Sequence, residues 1–173
     1  MSGFKKRRNV LGYPFYNWGY FVPILNGIIS PTPGALGPVA LQQNGPIIEI
    51  EVAVPTALEQ LLKQTSKPVP PPVRGFALVD TGATMSAVDD SVVRSLGVAP
   101  IGLASTGTAG GPQTQNLYPA KFILQRAPWT FEFGRVTGCN LSGTGMIALI
   151  GRDVLSNAIL VYNGPLGVFS FAI

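Results

Sequence analysis

The chain has 173 residues, 46% hydrophobic and only 12% charged, enough apolar mass for one ordinary domain with extensions. Its net charge of +4 resides in the run Lys5-Lys6-Arg7-Arg8, and the remaining eight basic residues match the eight acids. The body therefore has no basic face to track phosphates, and no nucleic-acid partner is expected. There is no histidine and one cysteine, Cys139, which excludes Ser-His-Asp and Cys-His catalysis, histidine zinc sites and an internal disulfide framework.

Residues 1–45 read as an arm, first basic, then aromatic, then rich in Pro, Gly and Asn. The run Trp18–Ile29 is apolar, but Pro23 and Asn26 interrupt it and it is too short to span a bilayer. Behind a basic cluster it loosely mimics a signal peptide. Pro14 and the crowded aromatics from Tyr13 to Phe21 make a poor hydrophobic region for one, and a cytoplasmic protein is expected. The aromatics are expected to pack on the sheet, although they would also suit an apolar groove.

From residue 46 the pattern becomes that of a folded domain. Ile48, Ile50, Val52 and Val54 alternate with Glu49, Glu51 and Ala53, which predicts a half-buried strand. Thr56-Ala-Leu-Glu59 has the form of a capping box and predicts a short helix to about Lys63, with Leu58, Leu61 and Leu62 facing inward. Prolines 68, 70, 71 and 72 then predict an extended connector. Helix and connector, about residues 56–73, read as an insertion between two strands of one sheet.

Phe76-Ala-Leu-Val79 predicts a buried strand, and Asp80-Thr81-Gly82-Ala83 follows at once. Ser86-Ala-Val-Asp89 has the form of a second capping box and predicts a helix with Val88, Val92 and Leu96 on one stripe, ended by Gly97. The rest reads as strand and turn. Gly107-Thr108-Ala109-Gly110-Gly111-Pro112 is a hairpin tip; Trp129, Phe131 and Phe133 alternate with polar residues; Met146–Ile150 is a buried run ending in Gly151-Arg152-Asp153; Val168–Ile173 alternates after a turn at Asn163–Gly167. The expected fold class is all-β, a β-rich single domain with two short helices.

Asp80 needs a physical explanation. A carboxylate at the end of a buried run costs several kcal/mol if unpaired, roughly, and the small residues after it let the backbone bend sharply beside it. Two readings stand on these residues alone: a catalytic carboxylate, or an aspartate that caps the turn.

Ala77-Leu-Val-Asp80-Thr-Gly-Ala83 resembles the active-site motif of retropepsin-like aspartic proteases. Met146-Ile-Ala-Leu-Ile150-Gly151-Arg152-Asp153-Val-Leu155 resembles their second signature, and a glycine-rich hairpin lies between the two. The resemblance covers roughly residues 46–173 and implies a retropepsin-like acid-protease half-barrel, active as a two-fold dimer. It implies that this chain is an aspartic endopeptidase acting on a peptide or protein substrate. Each subunit would supply one Asp80, with no metal and no cofactor. It further implies that Thr81 links the two active-site loops across the dimer axis and that Gly82 and Ala83 let substrate pass close to the cleft floor. Gly107–Gly111 would form a flap, and Ile150, Gly151, Arg152 and Asp153 a structural support. The alternative is a catalytically silent dimeric peptide-binding module of the same fold. Two departures stand out. Viral members commonly place an aspartate where Thr84 and Met85 stand, so Arg152 is expected to pair elsewhere, with Asp89 or Asp90. The C-terminal strand, interleaved between subunits in the viral enzymes, is here the second arm of a hairpin.

Overall fold

The computed structural model describes residues 24–27, 37–108 and 111–173. The basic run Lys5–Arg8, the aromatic run Tyr13–Phe21 and the hairpin residues Ala109 and Gly110 lie outside the described residues. Fourteen elements follow in chain order: β1 (Ile24–Gly27), α1 (Gly37–Asn44), β2 (Ile47–Ala53), α2 (Thr56–Gln64), β3 (Val73–Val79), β4 (Ala87–Asp89) and α3 (Asp90–Ser95), then β5 (Gly102–Thr108), β6 (Gly111–Leu124), β7 (Thr130–Cys139), β8 (Ala148–Ile150), α4 (Arg152–Leu155), β9 (Ile159–Asn163) and β10 (Val168–Ala172). The β-rich class expected from the sequence holds. The helices number four among the described residues rather than two. Two were not foreseen: α1, which begins at Gly37-Pro38 where a proline needs no intrahelical partner, and the single turn α4.

Seven strands form one sheet in the order β2-β3-β8-β4-β7-β6-β5, and an added pairing of β2 with β6 closes six of them into a ring. The interior is made by the alternation seen in the sequence. Ile48, Ile50 and Val52 of β2 are fully buried beside Val88, Phe122, Val136 and Ile150, each contributing about 1.5–3 kcal/mol through its burial. Glu49 and Glu51 point the other way and pair with Arg126 and Arg74.

β2 and β3 pair antiparallel, from Ile47–Leu78 to Val52–Val73, although α2 and the prolines separate them in sequence. The two expected capping boxes do not form. Pro55, not Thr56, occupies the N-cap position of α2 and offers no side-chain cap; the Thr56 N–H and hydroxyl donate to Glu132 of β7 at 2.7 and 2.9 Å. Glu59 is drawn instead to Lys63 and Lys121, and Leu61 faces solvent at 54% exposure, so this helix lies on the surface. In the second case a strand intervenes. Ser86 precedes β4, and Asp89 caps α3 by accepting from the Ser91 N–H at 2.8 Å. Val92 and Leu96 are buried as expected, and Gly97 ends the helix with a φ of 69°.

β1, β10 and β9 form a separate three-stranded antiparallel sheet. The expected C-terminal hairpin is therefore present, with β10 bonded on both sides within its own chain. Phe169 and Phe171 carry this sheet into the core, where Phe171 meets the Trp129 ring edge-on at 5.7 Å. α1 sits on the hairpin: the Tyr162 hydroxyl donates to the Leu41 carbonyl at 3.0 Å. No helix among the described residues is long and apolar enough to cross a membrane.

Candidate active site

The two motif strands lie side by side. β3 pairs parallel with β8, Val79 opposite Ile150, and the Asp80 N–H donates to the Ile150 carbonyl at 2.9 Å. Both strands stop at this point, so Asp80 emerges at the sheet's end from a buried strand onto a half-buried position. The chain then turns tightly: the Ala83 N–H reaches the Asp80 carbonyl at 3.3 Å, and the Gly82 N–H donates to Asp80 Oδ1 at 2.8 Å. That last bond fixes one carboxylate oxygen. Thr81 and Gly82 are exposed. Among the described residues no basic group pairs with Asp80.

The second signature grips this loop from beneath. The Asp153 carboxylate accepts from the Ser86 N–H at 2.9 Å and from the Ser86 hydroxyl at 2.8 Å, while Ser86 Oγ accepts from the Gly151 N–H at 3.1 Å. Ser86 is fully buried. Gly151 lies so close to the loop that an added Cβ would stand 2.6 Å from the Met85 carbonyl carbon, which no side chain permits. Ile150 is fully buried, whereas Leu149 lines the cleft.

Arg152 departs from expectation. It pairs with neither Asp89 nor Asp90. Its Nη1 donates to the carbonyls of Thr81 and Gly82 at 2.9 and 3.3 Å, and its Nη2 to Thr84 Oγ1 at 2.9 Å. Thr84 thus meets the arginine at one of the positions where the sequence departs from the viral pattern. Asp89 is committed elsewhere, to the Ser91 hydroxyl and N–H and to the Leu141 N–H. Burial pushes its carboxyl up, but these bonds and the Val92 N–H outweigh that and leave it below the ordinary aspartate value.

A cleft of about 700 Å³ lies in front of Asp80. Ala83, Met85 and Leu149 line it from the loop side, and Ala104, Gly107 and Gln115 from the β5–β6 hairpin. The hairpin spans Gly102–Leu117 in unbroken antiparallel register up to Thr108–Gly111, and Gly111 takes a φ of 102°. Cys139 also lines the cleft, but burial, aided by the charges of Asp89 and Asp90, pushes its thiol up to about 12. Its thiol donates to the Val88 carbonyl at 3.6 Å, and a thiol held protonated is a poor nucleophile. Among the described residues no group of three or more carboxylates and thiols is placed to hold a metal ion.

Two residues of this region were missed in the sequence. Ser86 was read as a helix cap because serine three residues before an aspartate fits that pattern. Gln115 carried no sequence signal beyond its place in a polar stretch of strand.

The site is thus one carboxylate, on a turn locked by a second motif, lining a cleft beside a hairpin. No family model matches the chain, and no curated protein matches it. Among solved structures it is similar to a crystal structure of a retropepsin-like aspartic protease from Rickettsia conorii, at 15% identity and a TM-score of 0.43, over 87% of this chain and 93% of that one.

Proposed function

We propose that this chain is an aspartic endopeptidase that works as a homodimer, each subunit contributing Asp80. The observation that carries the reading is the Asp80 turn itself. One carboxylate oxygen is anchored by the Gly82 N–H, the residue lines the cleft, and no basic group among the described residues pairs with it. A single carboxylate of this kind lacks a proton donor to work with, and a two-fold axis near Thr81 supplies the second.

Two such carboxyls about 3 Å apart share one proton and titrate as a pair. The ionised one takes a proton from a water, whose oxygen bonds to the substrate carbonyl carbon, while the protonated one donates to the carbonyl oxygen. The resulting tetrahedral gem-diol collapses as the C–N bond breaks: the leaving nitrogen takes the proton of one carboxyl, and a hydroxyl proton of the diol passes to the other as the carbonyl re-forms, restoring the shared proton. The β5–β6 hairpin, with Gly107 in the cleft lining, acts as the lid, closing on substrate and excluding bulk water.

The test is hydrolysis of a mixed peptide library by the purified protein at mildly acidic pH, beside Asp80→Asn. Cleavage by the wild type and none by the variant, with unchanged circular dichroism, is the expected result. Undiminished cleavage by the variant overturns the assignment.

A further inference from the structure

We propose that the proline-rich connector at residues 67–73 is a docking site for an SH3-type domain, whose aromatic-lined groove reads a polyproline helix and whose acidic rim meets Lys67. None of these residues lines the cleft, so the inference stands apart from the proposed function.

The segment reads Lys67-Pro68-Val69-Pro70-Pro71-Pro72-Val73. A proline fixes its own φ near about −65°, and its ring pushes the residue before it toward extended backbone. These two restrictions between them act on every residue from 67 to 72, and the polyproline II helix satisfies both. Both ends are held. The Lys67 N–H donates to the Leu62 carbonyl of α2 at 2.8 Å, and β3 begins at Val73. Val69 packs against the core and turns one side of the segment inward.

What faces outward is the edge a partner would read. A polyproline helix has roughly three residues per turn, so Pro68 and Pro71 share one edge, and both are exposed. The main-chain carbonyls of residues 68–72 accept no hydrogen bond from any described residue. Lys67 is exposed and joins no ion pair among the described residues. A connector needs stiffness alone. Exposed prolines one turn apart, free carbonyls and a flanking cation are what ring slots, hydrogen-bond donors and carboxylates of a polyproline-reading groove engage. Because the segment is already held straight, docking sacrifices little chain entropy.

The test is calorimetric titration of the full chain with a panel of purified SH3 domains, comparing the wild type with Pro68→Ala/Pro71→Ala and with Lys67→Glu. Expected is saturable one-to-one binding by at least one domain, weakened about tenfold or more by the double substitution. Lys67→Glu should weaken it roughly two- to fivefold, a difference that shrinks at about 0.5 M salt. Thermal unfolding is followed in parallel. Should the double substitution unfold the protein, Lys67→Glu, which leaves the proline backbone untouched, decides the outcome. Binding by no member of the panel overturns the proposal, as does full-strength binding by a folded double variant. Self-association of the chain that the double substitution abolishes also overturns it, since the occupant is then a second copy.

Discussion

Arg152 holds Thr81 by its main chain: the guanidinium Nη1 donates to the Thr81 carbonyl at 2.9 Å, although 71 positions separate the two in sequence. With further bonds to Gly82 and Thr84, one side chain fixes three residues of the segment that follows Asp80. The guanidinium is suited to this because its donors form a rigid planar fork.

Arg152→Leu is expected to lower kcat/KM on a peptide substrate by roughly 10–100-fold, through misplacement of the loop. The melting temperature should fall by only about 2–6 °C, since the lost bonds lie at the surface. Arg152→Lys should recover little of the activity, because an ammonium cannot span the same carbonyls. Full activity in Arg152→Leu means the loop holds its shape without this clamp.

Gly151→Ala tests the close approach of the two motifs. The new methyl would lie 2.6 Å from the Met85 carbonyl carbon and 2.8 Å from the Ser86 N, both backbone atoms within a buried turn. A cost of about 3 kcal/mol or more is expected, read as a lower midpoint in urea with an unchanged slope. An unperturbed midpoint would mean that the two segments separate easily.

How much of this was legible in advance varied with the physics involved. Period-2 alternation in β2 and β7 was readable because burial writes it directly into residue type. The motif strands around Asp80 and Gly151 were readable as a resemblance, and their parallel pairing brings both together. The caps were misread for a specific reason. Thr56 and Ser86 each have the local spacing of a capping box, but distant groups, Glu132 and Asp153, outcompete the local ones. Arg152 was misassigned because only charged partners were considered, whereas carbonyls and a hydroxyl satisfy it.

Glu59 gives a pH test away from the site. Hydrogen bonds and charge from Lys121 and Lys63 lower its pKa from 4.5 to about 2. A folded-state value below the unfolded one means the stabilisation is complete above about pH 4.5 and lost as pH falls through about 2. Glu59→Gln should therefore flatten the wild-type decline in stability across that window, as followed by urea unfolding at a series of pH values. Parallel curves for the two proteins would remove Glu59 as a source of acid sensitivity.

Cys139 offers a chemical probe of the cleft's interior. With its thiol pushed up to about 12, only about one molecule in ten thousand carries the thiolate at pH 8. Iodoacetamide is expected to label the native protein far more slowly than the urea-unfolded chain, and Cys139→Ala should leave peptide hydrolysis in place. Rapid labelling of the native state, together with loss of activity, would reopen a role for the thiol.

Subunit mixing tests whether one Asp80 suffices. β10 is bonded to β9 and β1 within its own chain, and Phe169 and Phe171 lie in the core. Deleting the C-terminal strand would therefore unfold the domain rather than report on association. Mixing avoids this problem. If wild-type and Asp80→Asn chains exchange randomly at equal concentration, a quarter or so of the dimers contain two wild-type subunits, and activity per wild-type chain drops to about half. If each chain carried a complete site, added variant would change nothing. The same wild-type protein should lose specific activity on dilution, with a midpoint at the dimer dissociation constant from sedimentation. Half-activity on mixing together with loss on dilution is the signature of a site assembled from two Asp80 carboxylates. A monomer that cleaves at full rate at every dilution would require a second catalytic group within one chain, and the two-fold arrangement would have to be abandoned.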